Sequence, residues 1–356
     1  MNIKGYIPKF LKYPLITAYI LYRCILRGLP KKTIALNLAG VLPSKESLKV
    51  VHGGKVKLLH LRERFGDTWK RFNLAYLVSS GLPFAPNLWI KIYKLFGVKI
   101  FWNQNGVAYR ALYPEKTVER INGLMRPMHK ADYVIYQTEF VKRCADKYLG
   151  EFKGASSVII NPVDTKHFKP RETALPDEPL MIIMSGNHFE SKERMDISVG
   201  AIRELGERGI NTKLIIIGEA DYEMQEEWIE KTGAFTQEEA PRLYQKAHLL
   251  LHLKYLDPCP TLVLEAMACG LPVISSASGG LPEMVDNKSG VLIPVVEDFE
   301  NLHYPSAGEV ASAIVKVKES YKEYSENARK QALKFDKEVW LDKHEEIFNH
   351  LCRKSQ

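Results

Sequence analysis

No two cysteines of this 356-residue chain fall at Cys-x-x-Cys spacing, and the five present, Cys24, Cys144, Cys259, Cys269 and Cys352, are odd in number and widely scattered. That excludes a disulfide framework or an ordinary zinc site and points to reduced thiols in a cytosolic protein. No Asp-x-Asp occurs and no His or Cys spacing suits a metal, so none is expected. The absence of Gly-x-Gly-x-x-Gly after the first apolar strand counts against a nicotinamide dehydrogenase. The net charge is +8, from 50 Lys plus Arg against 42 Asp plus Glu, yet no basic repeat or interleaved RNA-binding aromatics accompany it. Nucleic acid is therefore not an expected partner, whereas a polyanionic ligand or an anionic membrane surface is.

A long hydrophobic run is also missing. Residues 5–27 are rich in large apolar and aromatic side chains, but the uncharged stretch between Lys12 and Arg23 is ten residues, too short to span a bilayer. No small-residue cleavage site follows it, as a signal peptide would require. Two readings stay open. One is a basic amphipathic helix on the inner membrane face, with Lys4, Lys9, Lys12, Arg23, Arg27, Lys31 and Lys32 toward lipid headgroups. The other is a surface helix packing its apolar stripe on its own domain.

What is present is a steady alternation of short apolar runs with helical stretches, the pattern of parallel strands joined by crossover helices. Strands are expected at 33–38, 74–79, 98–102, 133–137 and 157–160, and again at 180–185, 213–218, 248–253, 272–276 and 290–293. This predicts an α/β protein of two doubly wound halves, in keeping with a length beyond one ordinary core. Residues 161–179, with four prolines and many charges, read as the linker. The expected domains are 1–165 and 166–339, with the helical tail 340–356 packing back, its apolar stripe running through Val339, His344, Ile347 and Leu351. Ligands of such sheets bind at the strands' carboxyl ends, so the two halves should face an interdomain cleft.

The segment Asp257–Val285, DPCPTLVLEAMACGLPVISSASGGLPEMV, concentrates the chemistry. Pro258 and Pro260 deny helix around Asp257; Thr261 to Cys269 then reads as a helix stopped by Gly270 and Pro272. The fresh helix start at Thr261 and Leu262 offers backbone N–H groups and a positive dipole end to phosphate. Glu265, one turn further among apolar neighbours, needs a partner: ribose hydroxyls, or an internal Lys or Arg. Gly279 and Gly280 would let a ligand approach the backbone closely.

This ordered set, an acid, seven residues, Glu-Ala-Met-Ala-Cys-Gly-Leu-Pro-Val and then Gly-Gly-x-Pro-Glu, resembles the retaining family 4 glycosyltransferases of the GT-B fold, over roughly residues 155–295. NPVDTKHF (161–168) is similar to the family's linker segment, LIIIGEA (214–220) to its strand ending in glycine, and MSGNHFESKERMD (184–196) to the stretch carrying its phosphate-binding cations. The resemblance implies two Rossmann-like domains and metal-independent transfer from a UDP- or GDP-linked sugar to a glycan or glycolipid hydroxyl, in cell-surface polysaccharide or lipopolysaccharide assembly. It implies that Glu265 holds the ribose, Asp257 the donor sugar, and Lys192 with Thr261 and Leu262 the diphosphate. It also implies that Gly53 and Gly54, with His52, form a loop facing the phosphates, and that His129, Lys130, Thr138 and Glu139 lie beside the cleft.

Three positions depart from the family pattern. Asp257 replaces a glutamate, Asn187 an arginine, for which Arg194 could substitute, and Asn105 the histidine that touches the donor sugar. The alternatives are a non-catalytic sugar-nucleotide-binding or scaffold protein, and an epimerase of the same fold.

Overall fold

A computed structural model describes residues 9–31, 33–39, 53–186, 192–220 and 226–353. The first sheet holds β1 (Leu36–Asn37), β2 (Leu74–Val78), β3 (Lys99–Gln104), β4 (Tyr133–Tyr136) and β5 (Ser156–Val158), all parallel and adjacent in that order. Helices α1 (Lys9–Leu26), α2 (Gly53–Phe65), α3 (Pro86–Leu95), α4 (Glu115–Met125) and α5 (Glu139–Leu149) lie between and before these strands. The second sheet holds β6 (Leu180–Ser185), β7 (Thr212–Ile217), β8 (Ile229–Gly233), β9 (Leu249–His252), β10 (Val273–Ser276) and β11 (Gly290–Ile293). Its spatial order, β11-β10-β9-β6-β7-β8, reverses direction between β6 and β9. The accompanying helices are α6 (Lys192–Glu207), α7 (Ala240–Tyr244), α8 (Thr261–Ala268), α9 (Leu281–Met284), α10 (Ala307–Glu319), α11 (Tyr321–Leu333) and α12 (Lys337–Arg353).

Both sheets are covered on both faces, which explains the near-continuous apolar strands. Along β2, Ala75 and Leu77 enter a core shared with α1, α3, α4 and α5, while Leu74, Tyr76 and Val78 enter one shared with α2 and α12. In β7, Ile215 and Ile217 face α7, α8, α9 and α11; Leu214 and Ile216 face α6 and α10. Period-two alternation thus serves two apolar layers at once.

The strands differ from expectation where polar groups intervene. Pairing of β1 is confined to two residues because the Asn73 amide takes over the hydrogen bonds upstream, donating to the carbonyls of Lys31 and Thr33 and accepting from the Ala35 amide. Strand β8 (IEKTG) gave no signal, since an edge strand pairs on one side only and its charged residues face water.

The tail helix α12 lies across the first sheet, although it follows the second in sequence. Phe348, fully buried, meets the rings of Phe65, Tyr76 and Phe101, and Arg64 of α2 bridges to Glu338, Asp342 and Glu345. The apolar stripe needs one correction: Val339 is 42% exposed, and Trp340 and Leu341 fill the core instead.

Helix α1 packs in part on its own half. Ile20 and Cys24 are buried in its own half, whereas Tyr13, Leu15, Tyr22, Ile25 and Leu26 remain exposed. Arg27 does not face outward as expected; buried, it donates to the carbonyls of Phe72 and Phe96, and Arg23 lies 4.4 Å over the Trp69 ring. Lys4 and Lys32 fall outside the described residues, and no helix among those described is long and apolar enough to cross a membrane.

Truncating a buried phenylalanine removes its transfer energy and leaves a cavity, so Phe348→Ala should lower unfolding free energy by roughly 3–5 kcal/mol. Urea denaturation followed by tryptophan fluorescence measures this; a loss under about 1 kcal/mol would mean that α12 does not dock on the first sheet.

Candidate functional site

The loop after β9 turns sharply, with Leu256 at a φ of +50°, and its backbone is then held residue by residue. Tyr109 donates its hydroxyl to the Leu256 carbonyl (2.7 Å), Thr138 to that of Pro258 (3.0 Å), and the Asn161 amide to that of Cys259 (2.9 Å). Tyr109 and Thr138 belong to the first sheet's connections and Asn161 follows β5, so three donors from the first half grip three carbonyls of the second. The intervening carbonyl, of Asp257, accepts from Gly280 (2.9 Å).

Pinned this way, Asp257 is 8% exposed, with Oδ2 at 3.3 Å from His252 Nε2 and 3.5 Å from Lys254 Nζ. Burial alone would push its carboxyl upward, but the Lys254 charge and the His252 contact outweigh it and hold the group down to about 2. Asp257 is therefore ionised at neutral pH, an acceptor-only group at the strand end.

Helix α8 begins directly behind the loop. Pro260 stands at its N-cap without a side-chain hydrogen bond, so no side chain of the cap competes for the N–H groups of the first turn. Gly270, at φ +82°, closes it. Half-buried Glu265 accepts from Gln237 Nε2 and Tyr244 Oη, both at 2.9 Å. Its internal partners are thus two neutral donors, neither Lys nor Arg. Burial outweighs these bonds and raises its pKa.

The glycine pair has a different reason from the one expected. A Cβ on Gly279 or Gly280 would overlap the Asp257 or Pro258 backbone, and Gly279 also sits at φ +64°. What approaches these glycines is the chain's own loop, and no ligand is needed to explain them. Glu283, completing the same motif, reaches across to accept from the amides of Glu139 and Phe140 at the start of α5 (2.7 and 2.9 Å).

On the facing half, Asn105 follows β3 and accepts from Lys57 Nζ (2.7 Å) while its own amides donate to Ser79 and Ser80. Lys57, which the sequence reading missed, is 1% exposed and also meets the Asn103 and Asn161 oxygens. Its only sequence signal was a lysine inside the apolar run of KVKLLHL. Gly53 and Gly54 form the first turn of α2 itself, a correction to the expected loop before it: the helical run that follows extends back over both, leaving their N–H groups without an intrahelical partner. His52 and Asn187 lie outside the described residues. Lys192 is exposed at the start of α6, and Arg194 is buried with its guanidinium donating to the Ser185 carbonyl. Thr138 caps α5 and bonds the loop, as above, but His129 and Lys130 are corrected away from the cleft. They precede β4, at its amino end, and bond the Leu149 carbonyl and the Asn87 side chain. The five cysteines are free and buried.

A cavity of about 190 Å³ lies where the two halves meet, between Gly106, Tyr109 and Phe140 on one side and Lys254, Leu256 and Pro258 on the other. Two parallel Rossmann-like sheets with a site between them define the GT-B fold, and solved structures share it. They include sucrose-phosphate synthase from Thermosynechococcus elongatus (TM-score 0.61, 17% identity, 83% of this chain and 76% of that one). They also include Anabaena HepE in complex with UDP and glucose (TM-score 0.60, 16% identity, 78% and 77%).

Residues 165–331 match the family model described as glycosyl transferases group 1. The amylovoran biosynthesis glycosyltransferase AmsK of Erwinia amylovora is 31% identical over 73% of this chain and 69% of that protein. The putative colanic acid biosynthesis glycosyltransferase WcaL of Escherichia coli is 30% identical over 37% of this chain. This chain belongs to the glycosyl transferases group 1 family. It spans 36% of WcaL and 54% of a probable sucrose-phosphate synthase from Thermosipho melanesiensis.

Because the Cβ space of Gly280 is filled by the Pro258 carbonyl, Gly280→Ala should destabilise the protein by about 1–3 kcal/mol even though its φ of −86° suits alanine. Thermal unfolding reads the effect, and an unchanged midpoint would show that the loop is free to move aside.

Proposed function

We propose that this protein is a retaining, metal-independent glycosyltransferase. It moves a sugar from a UDP- or GDP-linked donor to a hydroxyl of a glycan or glycolipid acceptor in cell-surface polysaccharide assembly. The observation that carries the reading is the placing of ionised Asp257, the side-chain-free start of α8 and half-buried Glu265 on one continuous segment. Membership of the group 1 family and the names of AmsK and WcaL support it.

In this mechanism Glu265 accepts hydrogen bonds from the ribose hydroxyls, joining the two it already receives. The N–H groups at Thr261 and Leu262 hold the diphosphate, and Lys192, exposed at the start of α6, adds a cation. Both interactions strengthen as charge develops on the departing diphosphate, which is differential stabilisation of the transition state. Asp257 orients the sugar through its hydroxyls, and Asn105 hydrogen-bonds near the reacting carbon without exchanging protons. The acceptor oxygen forms its bond to the anomeric carbon on the face from which the diphosphate oxygen leaves. A diphosphate oxygen takes the acceptor's proton.

We further propose that the exposed apolar side of α1, Tyr13, Leu15, Tyr22, Ile25 and Leu26, lies on the inner membrane face. Flotation with anionic vesicles should carry the protein upward, and Ile25→Glu should reduce this; wild-type protein left at the bottom of the gradient removes the proposal.

Thermal shift across nucleotide diphosphates and their sugars identifies the donor, since a native-state ligand raises the midpoint with occupancy. Glu265→Ala should abolish that shift and the transfer while the protein stays folded. An ionised carboxylate accepts from ribose hydroxyls more strongly than a protonated one, and the Glu265 pKa is raised, so wild-type affinity should fall with pH below a midpoint higher than that of an ordinary glutamate. Affinity flat down to the ordinary carboxylate range would contradict the assigned role, and tight nucleotide binding without turnover would mark a binding subunit instead.

A further inference from the structure

Lys57 lies at the junction of the halves, and the mechanism above leaves it unused. It projects from α2 into a shell of amide oxygens: Asn105 Oδ1 at 2.7 Å, Asn103 Oδ1 at 3.0 Å and Asn161 Oδ1 at 3.4 Å. With the Gln137 amide turned to satisfy its neighbours, its oxygen stands 2.5 Å away as well. Among the described residues no carboxylate lies within ion-pair distance of it. An amine has two N–H donors and a lone pair that needs a donor; an ammonium has three donors and no lone pair. A shell made of acceptors alone therefore fits the charged form. The contacts come from four places in the fold: β3, the loop after it, the end of β4 and the segment after β5. Asn161 passes the linkage on, since its amide holds the Cys259 carbonyl of the Asp257 loop.

We propose that Lys57, in its ammonium form, is a positioning residue of the sugar-transfer site, holding Asn105 toward the reacting carbon and, through Asn161, the Asp257 loop in register with it. This rests on the transfer reading above. Lys57 is too deeply buried to touch substrate, so it acts through Asn105 and Asn161 alone.

The position opposes the charge that the geometry asks for. Burial pulls the Lys57 pKa down to about 7, with the Cys259 thiol a smaller influence in the other direction. The other titratable groups around it do not change state near neutrality. Burial pushes Cys259 up to about 12 and Tyr76 upward, while His344, reached through Asn103 and the Tyr76 hydroxyl, is driven by burial down to about 3. Asp257, next to this loop, stays ionised. A proton lost from Lys57 leaves a lone pair facing carbonyl oxygens, and the Asn105 and Asn161 side chains lose a common donor.

Two consequences separate this role from a structural one. Turnover should fall as pH rises through about 7, because the holding form is the ammonium. Stability should move the opposite way. Between the folded value near 7 and an unfolded lysine's ordinary value the unfolded chain holds the extra proton, so unfolding free energy contributed by Lys57 rises with pH across that window.

The test pairs Lys57→Met with Asn103→Asp. Methionine fills a similar volume without a charge, and the amide oxygens it leaves without a donor should lower the thermal midpoint while the protein stays folded. kcat should nevertheless drop about tenfold to a hundredfold, as expected of misplaced reacting groups, with donor KM little changed and the alkaline limb absent. Asn103→Asp puts a carboxylate beside Nζ and should move the alkaline limb to higher pH. NMR of lysine side chains in the full-length protein should show one amine titrating near 7 that is missing from Lys57→Met. Wild-type kcat in Lys57→Met overturns the proposal. If the wild type turns over no donor at all, the transfer reading falls instead, and the lysine titration and its opposite stability trend still decide whether Lys57 is the charged centre of this junction.

Discussion

The Asp257 loop is held by its carbonyls, and most of the site follows from that. Leu256, Pro258 and Cys259 each give a carbonyl oxygen to a donor from the first sheet's half, and Asp257 gives its own to Gly280. A loop at a strand end has no ladder to satisfy its peptide groups, and buried ones must find partners elsewhere. Here the partners come from both sides of the junction, so that meeting the loop's hydrogen-bonding needs also brings the halves together. Glu283 adds a fifth tie by receiving the first amides of α5.

The electrostatics of the site are arranged around that constraint. Asp257 is forced into the interior but kept charged by Lys254 and His252, whereas Glu265 has only neutral donors and is raised. Two carboxylates eight residues apart thus differ in how readily they give up a proton: charged neighbours hold Asp257 down, and burial raises Glu265. Lys57 completes the pattern on the opposite wall, a cation surrounded by amide oxygens with burial working against it. Glu265 and Lys57 are held by side chains distant in sequence, whereas Asp257 meets Lys254 and His252 of its own segment.

Function enters through the family and the placement of these groups together. The group 1 match covers residues 165–331, the second sheet and its helices, while the first half contributes Asn105, Lys57, Thr138 and Tyr109. The cavity between Tyr109, Phe140 and Leu256 lies where the two halves meet.

Strand positions, the helix from Thr261 and the importance of the Asp257–Val285 segment were readable directly, because alternating apolar runs, prolines and glycines act locally on the backbone. Chain order alone could not reveal that α12 lies on the first sheet, that β8 pairs at an edge, or that Asn73 replaces strand hydrogen bonds. The glycines at 279 and 280 were legible as special, but not the backbone that fills their Cβ space. Lys57 looked like one more basic residue in a helix. The sequence by itself determined the two-sheet α/β plan and the Asp257–Val285 motif, since both rest on short-range pattern. Only the tertiary structure decided which buried charge meets which partner, because Lys57, Asn105, Asn161 and Cys259 are separated by up to 202 residues and become neighbours only when the two sheets meet.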